Sequence, residues 1–366
     1  MNKDLLFDVS KIKGVSLKNK VAMAPMTRIS ATEEGGVTDR MVRYYRSFAK
    51  GGFGLILTEG TYIDVEHSQT YHYQPGIASE EQANEWKHVV DAVHAEDGKI
   101  VIQLQHTGPL SQGNRFTQDT VAPSSVQPKG EQLKFYLGEG PFNVPRELEY
   151  EEMMKIKQSF VEAAKRAKAV GFDGVELHGA NGYLLDSFLT EYTNVRVDEY
   201  GGNTENRVRY LVEIAEAVKS AVSSEDFIVG MRISQSKVND YMYKWSGKEE
   251  DAKIIFGQLG VSGLDYLHIT EFEAWQTAFE GSTASLASLA KEYSQLPIIS
   301  NGQLDQVNRA IDIVESGDAD IIALGKGALA NHDWIKKIQH DIELAPFDQE
   351  ATLHPIADIK DFEIEE

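Results

Sequence analysis

The sequence predicts a single α/β domain over residues 1–366, folded as a (β/α)8 (TIM) barrel. Three observations support this: short apolar segments recur eight times, a helical pattern follows each of them, and no linker or change of composition divides the chain. Each segment is rich in β-branched residues or Leu and is bounded by Gly, Pro or charge, which is typical of buried parallel strands. Unbroken alternation of strand and helix favours a closed barrel. The predicted strands are 20–23, 54–58, 100–103, 174–177, 227–231, 266–269, 297–300 and 320–324.

The helical segments between these strands have recognisable start signals. Thr38 is predicted to cap the helix Asp39–Lys50, because its hydroxyl can accept a hydrogen bond from a free backbone N–H in the first turn. Ser79 and Gln82 have the spacing of a capping box before a helix that runs to Asp97. The other predicted helices are 151–170, 204–220, 248–259, 282–293, 304–316 and 328–343.

A doubly wound open sheet is the structural alternative to the barrel. It is disfavoured because no glycine-rich GxGxxG loop follows the first strand, where such folds bind phosphate. The longest interruption of the pattern is the segment 107–149, which follows the third strand and is rich in Gly, Pro, Ser and Gln. Loops of this length in compact domains are usually functional. We therefore expect this segment to form a lid over the barrel.

Composition excludes several classes of function. The chain has 366 residues, 42% of them hydrophobic and 25% charged, as in soluble globular proteins. It contains no cysteine, which excludes disulfides, thiolate nucleophiles and cysteine-ligated metals. A net charge of −21 argues against nucleic acid as a partner. No apolar run approaches the roughly 20 residues that span a bilayer, and the charged start does not resemble a secretory signal. A cytoplasmic location with no membrane partner and no metal is predicted.

Polar residues and glycines stand at or just past the predicted strand ends. In a barrel, the carboxyl ends of all strands meet at one mouth, where active sites lie. Contact with water explains some polar strand ends, but Gln103 and Arg232 are flanked by apolar residues and need buried partners. The set comprises Pro25, Met26, Thr27, Glu59, Gly60, Gln103, His178, Asn181, Arg232, Asn301, Gly302, Gly325, Lys326 and Gly327.

The stretch 173–186 is the most informative part of the sequence. It begins as a strand, breaks at two glycines and resumes as a helix-compatible segment, with His178, Asn181 and Tyr183 around the break. A single histidine after a strand is more often structural, and Tyr183 can equally be a core residue whose hydroxyl bonds the backbone. Three such groups within six residues nevertheless favour an active site at this strand end.

Glycines after the seventh and eighth strands fit a phosphate site. Small residues let backbone N–H groups approach phosphate oxygens, and barrels often bind phosphate at this pair of loops. Gly-Lys-Gly by itself is more often an ordinary turn. At this position, with Lys326 supplying positive charge, it predicts the phosphate end of a cofactor site.

The motif HGANGYLLDSFL and the adjoining LTEYTNVRVDEYGGNTENRVR resemble the flavin-site signature of the old yellow enzymes, the FMN-dependent ene-reductases. The resemblance runs from NKVAMAPMTR near the start to the Gly325-Lys326-Gly327 turn near the end. It implies FMN as cofactor, NADH or NADPH as reductant and a small electrophilic substrate. The implied reaction is hydride transfer from flavin N5 to the C=C bond of an α,β-unsaturated carbonyl compound.

The resemblance also implies a role for each site residue. His178 and Asn181 would donate hydrogen bonds to an oxygen of the substrate, and Tyr183 would supply the proton. The cofactor residues would be Pro25, Met26 and Thr27 beside the isoalloxazine ring, Gly60 and Gln103 at its polar edge, Arg232 at N1 and O2, and Asn301, Gly302, Gly325, Lys326 and Gly327 towards the phosphate.

The sequence departs from the family pattern at two positions. Lys326 stands where the family usually has Arg, so a point charge replaces a bidentate grip on phosphate. Gln105 stands where many members have Trp, which should enlarge or wet the substrate pocket. Four further aromatic residues near strand ends fit either the pocket wall or the core. These are Tyr71, Tyr73, Phe272 and Trp275.

Several alternatives remain open from the sequence. The same pocket would serve a reductase of quinones, nitro compounds or free flavin, because any flat acceptor that stacks on the flavin can take electrons. A flavin-binding protein without turnover and a flavin-free barrel aldolase or isomerase are the other readings. The natural substrate, the choice between NADH and NADPH, and the oligomeric state are not encoded in a recognisable motif.

Overall fold

Eight parallel strands close a barrel in the computed structural model, which describes residues 2–365. Each strand pairs with the strands before and after it in sequence, and the register Ala323↔Ala22 joins the last to the first. The predicted fold class is confirmed. Strands β1 to β8 are Val21–Met23, Leu55–Tyr62, Lys99–Gln105, Gly174–Asn181, Ile228–Lys237, Tyr266–Thr270, Ile298–Asn301 and Ile321–Leu324.

Helices surround the barrel, and the longer ones bury one face each. In Asp39–Lys50 the buried side chains include Met41, Tyr44, Tyr45 and Phe48, at the spacing of an amphipathic helix. Helices α1 to α11 are Asp39–Lys50, Glu80–His94, Tyr150–Ala169, Leu184–Leu189, Thr204–Val222, Lys248–Val261, Leu286–Ser294, Val307–Glu315, Lys326–Ala330, Trp334–Gln339 and Gln349–Leu353. Short 3₁₀ turns lie at Lys3–Phe7, Gly108–Leu110, Lys134–Tyr136 and Asp361–Glu363.

Strands β2 to β5 are longer than predicted. Glu59 and Gly60 lie inside β2, His178 inside β4 and Arg232 inside β5, whereas the sequence pattern placed them at or after strand ends. The reason is mutual pairing: β4 and β5 continue their ladder through a register irregularity after Gly179. Backbone partners on a neighbouring strand therefore keep polar residues in strand conformation.

One predicted capping box and the bounds of two predicted helices are wrong. Ser79 accepts the hydrogen bond from the backbone N–H of Gln82, but the Gln82 side chain bonds the backbone N–H of Ala78 instead of closing a capping box. The helix predicted at 282–293 begins at Leu286, where Ser285 is the N-cap. The helix predicted at 328–343 is broken into α9 and α10 at Asn331, whose amide bonds the backbone at Gly327 and Ala345.

A β-hairpin formed by Ser10–Ile12 and Val15–Leu17 precedes the barrel and is absent from the sequence-based prediction. Its side chains Ile12, Val15 and Leu17 belong to one buried apolar cluster with the inward-facing residues of the barrel. The hairpin therefore closes the end of the barrel opposite the mouth. The barrel side chains in this cluster are Ala22, Ala24, Leu55, Leu57, Val101, Ile228, Tyr266, Ile299, Ile321 and Ala323.

The segment 107–149 packs at the mouth with little regular structure. Besides two 3₁₀ turns it contains two-residue strands, Val121–Ala122 and Arg146–Glu147, which pair with each other. Leu133 and Tyr136 from this segment line the cavity at the mouth. Within residues 2–365, no helix is both long and apolar enough to cross a bilayer.

Candidate active site

A cavity of about 270 Å³ opens at the mouth of the barrel. It is built by the first loop after β1, by inward-facing residues of β2 to β5, and by the turn after β8. Tyr71, Gln105 and Val238 complete its wall. The predicted site residues that line it are Pro25, Met26, Thr27, Gly60, Gln103, His178, Asn181, Tyr183, Arg232, Gly325 and Lys326.

Asn301 lies behind this lining and orients Arg232. The Arg232 Nη2 atom donates hydrogen bonds to Asn301 Oδ1 at 2.8 Å and to Thr270 Oγ1 at 3.2 Å. Asn301 Nδ2 in turn donates to the carbonyl of Ala323 at 2.9 Å. Arg232 Nε is buried and has no hydrogen-bond partner within residues 2–365. Hydrogen bonds from Nη2 therefore fix the guanidinium, while its Nε–H remains free to donate to a ligand.

Gly302 and Gly327 also lie outside the cavity lining, and packing explains why both are glycine. A Cβ atom at Gly302 would stand 2.3 Å from the carbonyl oxygen of Glu271, and one at Gly327 would stand 2.3 Å from Asp305 Cβ. Gly325 differs, since the nearest atom to a Cβ there would be Met26 Sδ at 3.7 Å. Lys326 is exposed. Of the predicted phosphate group, only Gly325 and Lys326 face the cavity.

His178 is a buried, neutral imidazole on the cavity wall. Burial lowers the pKa of His178 well below its usual range, and the positive charge of Arg232 lowers it further. Its Nδ1 atom is buried without a hydrogen-bond partner in the part of the chain that the structure describes. The ring meets that of Tyr183 edge to face, with centroids 4.9 Å apart. A neutral imidazole with free capacity at the cavity wall can donate to a ligand oxygen.

Asn181 ends β4 in the left-handed region, at φ 65°. Asparagine tolerates this conformation better than most residues. A buried ion pair fixes the turn that follows: Asp186 accepts from the backbone N–H of Gly182 at 2.6 Å and from Lys237 Nζ at 2.8 Å. Neither Asp186 nor Lys237 was predicted from the sequence as a site residue. The pair holds Asn181 and Tyr183 in place relative to β5.

Tyr183 and Tyr71 join their hydroxyl groups at 2.6 Å inside the cavity wall. Burial raises the pKa of Tyr183 to about 12, although hydrogen bonding with Tyr71 and Gln105 acts in the opposite direction. Tyr183 is therefore a protonated phenol at neutral pH. Of the four aromatic residues whose location the sequence left open, Tyr71 lines the cavity, whereas Tyr73 and Phe272 are largely exposed. Trp275 stacks under the guanidinium of Arg309.

A polar layer lies beneath the cavity and was not identified from the sequence. Gln103 Nε2 donates to Glu176 Oε1 at 2.8 Å, and His268 Nδ1 lies 2.9 Å from Glu176 Oε2. Burial raises the pKa of Glu176, but its interactions with His268, the charge of Arg232 and the hydrogen bond from Gln103 together outweigh burial and lower it overall. The carboxylate thus stays ionised and orients Gln103. The sequence signal for this layer is Glu176, an acidic residue in the middle of a predicted buried strand.

The lining fits a flat, polar-edged cofactor together with a second small molecule. Arg232 Nε and His178 Nδ1 are buried polar atoms that the described chain leaves unpaired, and Gly325 leaves room for a group to approach its backbone. Met26 and Leu329 supply apolar surface beside them. Fixed donors at one edge and apolar walls at the faces suit a ring system that carries acceptor atoms.

Comparisons with known proteins identify the family. The model of the NADH:flavin oxidoreductase / NADH oxidase family matches residues 5–345. A Leishmania infantum protein named "Probable flavin mononucleotide-dependent alkene reductase" is 33% identical over 91% of this chain and 90% of its own length. An NADH oxidase of Thermoanaerobacter brockii is 34% identical over 91% of this chain, but the chain spans only 50% of that longer protein.

The solved structures agree with the sequence comparison. The old yellow enzyme homologue of Zymomonas mobilis superposes with a TM-score of 0.84 at 31% identity, over 93% of this chain and 94% of that one. Fold and sequence therefore point to the same relatives. The chain belongs to the NADH:flavin oxidoreductase / NADH oxidase family of FMN-dependent, NAD(P)H-consuming enzymes, in its old yellow enzyme group.

Proposed function

We propose that this chain reduces the C=C bond of α,β-unsaturated carbonyl compounds, with NADH or NADPH as the source of electrons. One observation carries the proposal: His178, Asn181 and Tyr183 line the same cavity as the predicted flavin-contacting residues. A relative named as an alkene reductase supports the same reaction class. The substrate would be a small electrophile that enters the part of the cavity lined by His178, Asn181 and Tyr183.

The residues present fit FMN. Arg232 would hold the edge of the ring where negative charge collects, because its Nε atom lacks a partner in the described chain and Asn301 fixes its orientation. Gln103 would face the polar edge, and Gly325 with Lys326 would face the phosphate. When bound, FMN supplies the hydride that reduces the β-carbon of the substrate. FMN ends at its phosphate and needs no adenine-binding unit, whereas FAD does. A site that consists of a ring pocket and a phosphate end therefore favours FMN over FAD.

His178 and Asn181 are assigned to the carbonyl oxygen of the substrate. Reduction of an enone places negative charge on this oxygen, and each well-placed donor stabilises such charge by about 3 kcal/mol. A neutral His178 is suited to this role because its N–H donates without bringing a buried cation next to Arg232. The Asp186–Lys237 pair acts indirectly, by fixing the turn that carries Asn181.

Tyr183 is assigned to the final proton transfer. A phenol with a pKa of about 12 remains protonated at neutral pH and can give its proton to a carbanionic α-carbon, which is far more basic. The segment 107–149 would act as the lid of this site, because Leu133 and Tyr136 form part of the cavity wall. The whole chain, 1–366, would then be one catalytic domain.

Tyr183→Phe tests the proposal, because it keeps the ring and removes the transferable proton. Reduction of the bound flavin by NAD(P)H should be unchanged in stopped-flow traces. Oxidation of the reduced enzyme by cyclohexenone should slow by about 10²–10⁴-fold, the usual contribution of a general acid. Oxidation by a quinone, which needs no protonation at carbon, should stay close to the parent rate.

The same stopped-flow traces show whether Tyr183 donates the proton or only shapes the pocket. If Tyr183→Phe slows the quinone and cyclohexenone reactions equally, the phenol shapes the pocket and is not the proton donor. The double variant His178→Ala, Asn181→Ala should also lose the long-wavelength band expected when a phenolate stacks on oxidised FMN. Retention of that band would place the oxygen-binding donors elsewhere.

A further inference from the structure

The hydroxyl of Tyr71 is the hydrogen-bond partner of Tyr183, the proposed proton donor, and both residues are buried. Tyr71 and Tyr183 are 3% and 5% exposed, and their oxygen atoms are 2.6 Å apart. The Tyr71 ring is fixed from its other side by Tyr136, with centroids 4.5 Å apart. Tyr136 is itself tied to the flavin-facing loop through the carbonyl of Thr27 at 3.2 Å. The Tyr71 hydroxyl therefore has little freedom to turn away.

The direction of this hydrogen bond determines where the Tyr183 proton points. A hydroxyl has one proton, so if Tyr183 donated to Tyr71 its proton would be engaged in the wall. If Tyr71 donates, the Tyr183 proton is left to face the cavity. Burial and the neighbouring Tyr183 hydroxyl raise the pKa of Tyr71 well above the usual range. Tyr71 is therefore protonated at neutral pH and has a proton to donate to the Tyr183 oxygen.

Gln105 lies beside the same oxygen, and its hydrogen bonding lowers the pKa of Tyr183. The residue lies in β3, is 1% exposed, and donates from Nε2 to Thr70 Oγ1 at 2.7 Å. This residue stands where many family members have a tryptophan. An indole has a single N–H, whereas an amide NH₂ group can serve both Thr70 and Tyr183. Two donors on one phenol oxygen are an arrangement suited to a phenolate.

We propose that Tyr71, with Gln105, is a positioning residue that donates to the Tyr183 oxygen, directs the Tyr183 proton at the substrate and stabilises the phenolate that forms. In the step concerned, the O–H bond of Tyr183 breaks and a C–H bond forms at the α-carbon, after hydride has reached the β-carbon. The phenolate then regains a proton from water. The inference rests on the proposed function, since it assigns how the donor of that reaction is held.

The first experiment compares half-reactions of the FMN-loaded enzyme. Tyr71→Phe keeps the ring that packs on Tyr136, so the cavity should survive. Cyclohexenone should oxidise the reduced variant about 10-fold more slowly than the parent, since a less acidic phenol is a slower proton donor. Reduction by NAD(P)H and oxidation by a quinone should be unchanged. Tyr210→Phe is the matched control, because it also removes a buried phenol hydrogen bond, to the carbonyl of Met153, away from the cavity.

The second experiment measures the ionisation of Tyr183 without turnover. Protein labelled with 3-fluorotyrosine is titrated by fluorine NMR, and Tyr183→Phe assigns the resonance. Tyr71→Phe should raise the pKa of Tyr183 by roughly one to two units, the usual effect of losing a hydrogen bond to a charged group. Gln105→Leu should raise it as well. Arg232, Tyr241 and Tyr136, which also interact electrostatically with Tyr183, are present in every variant.

The two experiments separate the inference from the function on which it rests. A parent enzyme that fails to reduce enones refutes the proposed function, while the fluorine titration still tests the hydrogen bond. An unchanged or lowered pKa of Tyr183 in Tyr71→Phe overturns the inference. So does an equal loss of the quinone and cyclohexenone rates, because a general distortion of the pocket would then explain the variant.

Discussion

The two ends of the barrel are built on opposite principles. At the closed end, the N-terminal hairpin packs Ile12, Val15 and Leu17 against inward-facing aliphatic residues, all of them buried. At the mouth, ionisable groups are buried, and the described chain leaves His178 Nδ1 and Arg232 Nε without hydrogen bonds. Apolar burial stabilises the fold, whereas unpaired buried polar atoms cost free energy. One end therefore supplies stability, and the other holds groups ready for a ligand.

This contrast also explains how a chain with a net charge of −21 binds an anionic cofactor. Negative charge is spread over the chain, but at the cavity it is countered by Arg232, whose charge acts on the ionised Glu176, and by the exposed Lys326. Local charges within a few ångströms outweigh distant ones, because solvent screens the latter. The field at the mouth is therefore set by a few residues.

The largest effect is expected at the closed end. Leu17→Ala should lower the free energy of unfolding by about 2–5 kcal/mol, because it leaves a void in a cluster whose side chains are all buried. Val238→Ala, on the half-buried mouth wall, is the matched control and should cost less than about 1.5 kcal/mol. Urea denaturation of the FMN-saturated protein gives both values. Equal losses at the two sites would show that the hairpin is not a main source of stability.

Glu59 should make the mouth end sensitive to pH. Its carboxyl group is fully buried in β2, directly before the cavity-lining Gly60. It accepts a hydrogen bond from the backbone N–H of Arg28 at 2.9 Å. Burial raises the pKa of Glu59 to about 7 from an ordinary value of 4.5. Because the folded-state pKa is the higher one, this group's contribution to stability is complete below pH 4.5 and is lost as the pH rises through 7.

The expected loss is up to about 3 kcal/mol between pH 5 and pH 8. Glu59→Gln cannot ionise, so its free energy of unfolding should fall less over this interval than that of the parent. Denaturation at both pH values measures the difference between the two proteins. A parallel pH dependence would mean that Glu59 keeps the same pKa in the folded and unfolded chains.

The smallest effect concerns the charge at the cavity edge. Arg232→Met should lower the midpoint potential of bound FMN by about 30–60 mV, because a charge-assisted interaction of roughly 1.5–3 kcal/mol with the reduced form is lost. Glu176→Gln removes a negative charge that interacts with Arg232 and should shift the potential in the opposite direction. Potentiometric titration checks both. An unmoved potential in Arg232→Met would assign the guanidinium to a structural role with Asn301 and Thr270.

Local sequence patterns predicted the repeating architecture correctly. Each barrel strand overlaps a predicted one, because short apolar segments with β-branched residues suit a sheet that is buried on both faces. Thr38 caps its helix as predicted, since the cap depends on residues three positions apart. The clustering of His178, Asn181 and Tyr183 at one strand end was also visible, because the strand itself positions them. These are features that nearby residues determine.

What the sequence left open depends on residues far apart in the chain. Tyr71 and Tyr183 are 112 positions apart, and only closure of the barrel brings their hydroxyl groups to 2.6 Å. The glycines at 302 and 327 fitted a phosphate cradle, yet contacts with Glu271 and Asp305 explain them. The pairing of Glu176 with His268, 92 positions later, has the same origin. Hydrophobic periodicity shows which face of a single helix or strand is buried, so the sequence by itself determined the barrel and most of the residues that line its cavity. The hydrogen-bond partners within the site were decided by packing between elements, because they come from distant parts of the chain.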